Sequence, residues 1–387
     1  MNSDYKGKRI LLIDGGSRQV LPLIKEFGEL QCDVTVYCGS KLDVGYVSKY
    51  TKHRILDCYD QDHPEDTRDG IIKAIQSGNF DMVVPMNDFA AGILANHKAE
   101  LSKYSYICVN DLPVYTLACD KLETMRLCME EGLPCPRTIL AEGIQEEDLK
   151  NWTYPLVVKP RSSYGAKGFS IVEKNTDLKA VLDATQKKFG PSLVQEFIPQ
   201  NGQQYQVEMY MDGKGNCKSF VLMDKLRWYP INGGSSTLNV TIKDEKIKHD
   251  CIALLKKMNW HGYASFDLIR DPRDGGAKIL EINPRINGTI KICFAAGVNF
   301  ALQHLQDAFG DSITDYPDYK EGLYLRYVHM DLLWFIKSRD RFRTKPSWFS
   351  WENTIDEIAS IRDIKPFFAY TITAFKKLAQ DKDKRGV

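Results

Sequence analysis

Through the first 110 residues, short apolar runs alternate with amphipathic stretches. RILLI at Arg9–Ile13, then 34–37, 54–56, Met82–Pro85 and 106–109, have the continuous aliphatic character of buried strands. Between them, 17–30, 64–76 and 88–98 repeat apolar positions at helical spacing. This alternation predicts βαβ units and a Rossmann-like parallel sheet over residues 1–112. The turn after the first strand reads GGSRQV, without GxGxxG. It reads as a tight strand-to-helix turn, although an anion at the helix start stays open.

The pattern changes after a helix predicted over 113–131, which carries Asp120 and Lys121 and stops at Gly132 and Pro134. A small lobe over about 135–198 follows: strand 156–159, loop RSSYGAKG, strand 169–172, helix 177–188 and strand 193–198. A larger lobe over about 199–330 has antiparallel signals. Strands 206–211 and 219–226 flank the turn Asp212-Gly213-Lys214-Gly215, and DPRDGG joins 264–270 to 278–282. From about 331 to 387 the chain turns aromatic and basic, ending in KPFFAYTITAFKKLAQDKDKRGV. That stretch reads as a helical extension, either packed on the body or touching a membrane or partner.

Composition narrows the class. With 387 residues the chain is long enough for two or three domains, and 43% apolar with 27% charged residues is ordinary for a globular protein. Fifty-two basic residues nearly cancel 51 acidic ones, which excludes a generally cationic chain that coats nucleic acid. No stretch approaches the ~20 apolar residues of a membrane span, and the start lacks a signal-peptide pattern. Ten cysteines without a CxxC pair read as reduced thiols of a cytoplasmic protein. The seven histidines show no metal spacing, and no Ser–His–Asp or Cys–His arrangement stands out.

Three clusters carry candidate chemistry. Lys159 leaves an apolar strand beside the Gly/Ser loop 161–168, which suits phosphate held by backbone N–H groups and ammonium charge; a solvated basic hairpin is the competing reading. Asp267 on one strand and Glu281 with Asn283 on the next offer hard oxygen ligands for Mg²⁺, the last two sharing a face because they are two apart. Arg285 projects at the same rim. Lys225-Leu226-Arg227-Trp228-Tyr229-Pro230, followed by Asn232-Gly233-Gly234-Ser235-Ser236, suits an anionic substrate or is a plain surface loop.

Taken in order, the linker-helix lysine, the strand lysine with its Gly-rich loop, VQEFI, a hairpin and D…ExNPR resemble the ATP-grasp superfamily. The text DLIRDPRDGGAKILEINPRINGTI is similar to the carboxylate–amine ligase-like branch, over about 115–300. The resemblance implies an α/β (α+β) ATP-grasp fold behind a pre-grasp lobe, with the grasp domain over 113–330. It further implies that Lys121 and Lys159 contact ATP phosphates while Ser163, Gly165 and Gly168 close over them. Gln195, Glu196, Phe197 and Ile198 would form the hinge meeting adenine. The branch's usual ribose-binding acid is replaced by Gln203-Gln204, and Glu208 is the next acid along. Asp267, Glu281 and Asn283 would hold Mg²⁺, or Mn²⁺ in its place. Arg285 would face the transferred phosphoryl group, and Arg227 with loop 233–236 the acceptor.

The implied reaction is activation of a small-molecule carboxylate as an acyl phosphate and its capture by an amine, with ADP and phosphate released. No nucleic acid is expected as partner, and a homodimer is the default assembly. The competing readings are an ATP-grasp carboxylase or carbamoyl-phosphate-type enzyme, a non-catalytic ATP-binding module, and an NAD(P)-dependent oxidoreductase on the first lobe.

Overall fold

A computed structural model describes residues 4–162, 168–199, 201–231 and 234–374. The first lobe holds five strands: β1 (Arg9–Ile13), β2 (Asp33–Cys38), β3 (His53–Leu56), β4 (Met82–Pro85) and β5 (Tyr106–Ile107). They pair in the order β3-β2-β1-β4-β5, all parallel, as the strand–helix alternation requires. Ile10, Leu11, Leu12 and Ile13 of β1 are all fully buried, because helices cover both faces of the sheet. Gly15 is needed for space. A Cβ there would lie 2.4 Å from Cys38 Sγ, so the turn packs tightly against β2.

The small lobe has β6 (Thr138–Leu140), β7 (Leu156–Pro160), β8 (Ser170–Val172) and β9 (Ser192–Glu196), ordered β6-β9-β7-β8 and antiparallel. The large lobe carries β10 (Gln204–Met211), β11 (Cys217–Tyr229), β12 (Ser235–Ile242), β13 (Gly262–Arg270), β14 (Ala277–Asn283), β15 (Tyr324–Arg326) and β16 (Thr354–Asp356). These form one sheet in the order β14-β13-β10-β11-β12-β15-β16, antiparallel except for the last pair. Two aliphatic cores lie on its two faces: Val207, Met209 and Leu222 pack under the helix Glu245–Lys257, while Tyr210, Val221 and Met223 join the core shared with the first lobe.

Three differences from the expectation shape the site. The linker helix breaks into Leu112–Cys119 and Lys121–Glu130, because Asp120 is extended and its carboxylate accepts from the N–H groups of Leu122 and Glu123. The Gly/Ser stretch after Pro230 enters a full strand, β12, whose Thr237, Leu238 and Asn239 are buried. The aromatic stretch after 331 contributes β16 to the large sheet, pairing with β15.

Candidate functional site

A cleft of about 900 Å³ lies where the three lobes meet. Its floor is the β13–β14 hairpin. In register, Asp267 faces Glu281 and Ser265 faces Asn283, so the side chains read as ligands from sequence do converge. Asn283 Nδ2 donates to Asp267 Oδ2 at 3.0 Å, and Arg285 Nη2 donates to Asn283 Oδ1 at 3.2 Å. Each carboxylate faces an ammonium: Lys225 Nζ bonds Asp267 Oδ1, and Lys121 Nζ lies 3.6 Å from Glu281 Oε2. Burial pushes Asp267 toward neutrality, but Lys225 overcomes this and holds its carboxyl below the usual range. Two carboxylates and an amide oxygen, already compensated by cations, fit a hard divalent ion with room for phosphate oxygens.

The lysines are placed by backbone ties. Lys121 opens its helix at the Asp120 cap, and its own N–H donates to Arg161 O at 3.0 Å. Arg161 returns an ion pair to Asp120 at 2.5 Å, so the linker helix is fastened to the end of the strand carrying Lys159. Burial pushes Lys159 down to about 8; Glu281 opposes that shift and Lys121 adds to it. Gly168 has φ +75°, and a Cβ would lie 2.7 Å from Pro160 Cγ, so only glycine fits. Ser163, Gly165 and Gly233 lie outside the described residues.

The other expected residues divide. Phe197 lines the cleft with Phe169, Ile171 and Ile282, an apolar wall suited to a planar base. Gln195 is buried and donates to Thr138 Oγ1 at 2.8 Å inside the small lobe. Glu196 accepts from Arg273 Nη2 at 2.6 Å and from Arg137 N–H at 3.2 Å. The DPRDGG turn therefore ties down the end of β9: buried Asp271 holds Arg273 and Lys278, and Arg273 reaches across to Glu196. Ile198, just beyond the end of β9, is buried.

Two expectations need correction. Glu208 does not reach the cleft: it is fully buried, accepting from Tyr263 Oη and, at 2.6 Å, from Thr289 Oγ1. Burial pushes its carboxyl up to about 7. It props Thr289, which does line the cleft.

Arg227 does not face the cleft either. Its side chain is 1% exposed, paired with Asp331 at 3.1 Å, donating to Pro346 O at 2.5 Å and lying 4.8 Å from the Trp334 ring centroid. The cause is a β-bulge. Lys225 pairs with Asn239 but Arg227 pairs with Leu238, so Leu226 is an extra residue and the two cations point to opposite faces. Lys225 takes the place beside the carboxylates.

Residues absent from the expected site complete its far wall. Arg18, in the loop after β1, and Asp88, after β4, both line the cleft, as do Gln206 and Asn287. Arg285 Nε lies 3.2 Å from Asp88 Oδ2, and Arg18 bonds Glu357 Oε2. Arg18 also lies over the Tyr327 ring at 4.4 Å. The signal for Arg18 and Asp88 was their position: both follow the carboxyl ends of parallel strands, where open α/β sheets bind ligands.

Three lobes thus close on one cleft whose floor is a carboxylate–amide row. Residues 118–289 match the family model of the ATP-grasp domain. Among curated relatives, the D-aspartate ligase of Enterococcus faecium is 26% identical over 324 residues, covering 78% of this chain and 77% of that protein. The carbamoyl phosphate synthase large chain of Thermoanaerobacter pseudethanolicus is 22% identical over 174 residues, 42% of this chain but 16% of its own length. In fold, the chain is similar to biotin carboxylase from Campylobacter jejuni, solved with a β,γ-ATP ligand (TM-score 0.69, 16% identity, 84% of this chain and 75% of that one).

Proposed function

We propose that this protein is an ATP-dependent carbon–nitrogen ligase that activates a carboxylate as an acyl phosphate and joins it to an amine. The observation that carries the reading is the row Lys121–Glu281 and Lys225–Asp267–Asn283–Arg285 along one cleft. The apolar wall at Phe197 takes the adenine, and Lys121 with Lys159 takes the phosphates. Mg²⁺ bound by Asp267, Glu281 and Asn283 would neutralise charge on those phosphates. Its similarity to a D-aspartate ligase along most of both chains supports an amino-acid-like substrate.

The residues supply position and charge, and no side-chain nucleophile is required. The substrate carboxylate oxygen attacks the terminal phosphorus; the bond to the bridging oxygen breaks and ADP leaves. Arg285, held by Asp88 and Asn283, faces the migrating phosphoryl group. The unprotonated amine then attacks the acyl carbon, inorganic phosphate departs and the amine loses a proton. Arg18, steadied by Glu357, is the cation at the far wall that fits a substrate carboxylate.

The test is phosphate release from Mg-ATP against pooled carboxylates, with and without pooled amines, using Glu281→Ala as blank. Release that needs both pools and vanishes in the variant supports the ligase. Release with bicarbonate alone would replace it with a carboxylase, and ATP binding without release in any pool would replace it with a binding module.

A further inference from the structure

The stretch from 331 to 374 presents an apolar face that the rest of the chain holds in place but does not cover. Its inner side is fixed by two buried arginines. Arg227 grips Asp331 and Pro346, and Arg326 donates to Trp348 O at 2.9 Å and Ser350 O at 3.0 Å. Arg326 also lies 4.5 Å from the Trp351 ring centroid. Above these anchors Phe342 is 72% exposed and Phe349 63% exposed, both packed edge-on against Phe335 at 5.5 and 5.7 Å.

The face continues along the helix Val328–Lys337. His329, Leu332 and Ile336 share one stripe at i, i+3 and i+7. His329 lies tilted against Phe367 at 4.6 Å and bonds Thr371, so the stripe abuts the helical residues 365–374, whose Phe368 and Ile372 are exposed.

Charge says what meets this face. Lys337, Arg339, Arg343 and Lys345 are exposed around it, and none forms an ion pair among the described residues. Arg362 and Lys365 are exposed beside the second helical stretch. The local acids are mostly turned inward: Asp331, Asp356, Glu357 and Asp363 are buried, leaving Asp340 and Glu352 exposed. The chain as a whole is neutral within one charge, so this concentration of cations is local. A second copy would oppose like charges. Aromatic rings ringed by unpaired cations suit the headgroup boundary of an anionic bilayer, where rings insert and ammonium and guanidinium groups meet phosphates.

We propose that this face docks the protein peripherally on an anionic membrane surface. Contact is by surface insertion, since no described helix is long and apolar enough to cross a membrane. The proposal does not depend on the ligase reading.

The experiment is cosedimentation of the full chain with phosphatidylcholine vesicles, with or without phosphatidylglycerol, while tryptophan emission is followed. Binding is expected only to the anionic vesicles, with a blue shift from Trp351 and release by added salt. The variant Phe342→Ser/Phe349→Ser/Phe368→Ser should lower the bound fraction at least about tenfold, as should Arg339→Glu/Arg343→Glu/Lys345→Glu. The second variant leaves the aromatic packing on Phe335 intact, so it keeps the test decisive if the first misfolds. Equal pelleting with neutral vesicles, no pelleting at low salt, or unchanged binding by the folded charge-reversal variant would overturn the proposal. So would self-association or nucleic-acid retention in place of vesicle binding.

Discussion

Two strand ends in this molecule carry a pair of polar groups two residues apart, and they behave oppositely. At the end of β14, Glu281 and Asn283 share a face and both meet Asp267 across the hairpin. At the end of β11, Lys225 faces Asp267 while Arg227 sits on the other side of the sheet, buried against Asp331. Both strands contain a bulge. In β14 the extra residue, Leu280, comes before the pair and leaves its spacing intact; in β11 the extra residue, Leu226, falls between the two cations. Period-two reasoning therefore holds for one pair and fails for the other. A bulge is decided by cross-strand pairing, which local sequence does not display.

The contrast can be broken at four points. Glu281→Gln should have the largest effect, lowering ATP-dependent turnover about 10²–10³-fold with little change in melting temperature. Near-normal turnover would remove the hairpin from the chemistry. Arg227→Met should act on stability, costing about 1–3 kcal/mol in a denaturant titration, because buried Asp331 loses its bonded cation and keeps only Thr237 and the Arg326 Nε at 3.4 Å. If the variant unfolds at the wild-type midpoint but loses turnover, Arg227 belongs to the cleft after all.

Lys225→Met should tilt the other way, a turnover loss of about 10–100-fold with a smaller midpoint shift than Arg227→Met, because Asp267 is partly exposed and keeps its bond from Asn283.

The smallest expected effect concerns Glu208. Burial raises its folded carboxyl to about 7, above its ordinary 4.5, so between those values the folded state holds more protons than the unfolded one. Stability from this group therefore falls as pH rises from about 4.5 to about 7 and is flat above. Glu208→Gln should flatten that slope in melting curves, gaining relative to wild type at pH 8 over pH 5. An unchanged slope would show that Glu208 is ionised in the fold.

The legible parts were those whose partners are near in sequence or whose period is regular: the β1–β5 alternation, the β13–β14 hairpin and the lysine leaving β7. Arg18 was read only as part of a turn, since its partner Glu357 lies 339 residues away and the cleft wall exists only once the chain has closed. The strand β12 was hidden by its Gly/Ser entry, and β15 and β16 by their length of three residues each. Glu208 was a candidate only through the resemblance, as the next acid after Gln203-Gln204. Here Tyr263 and Thr289, from two other segments, satisfy it in the core.

Oxygen transfer tests the chemistry of the cleft most directly. With ¹⁸O in the substrate carboxylate, Mg-ATP and the amine, attack on the terminal phosphorus predicts one ¹⁸O in each released phosphate, with none in the Glu281→Gln blank. Release of phosphate carrying no ¹⁸O while the amide forms would contradict activation through an acyl phosphate.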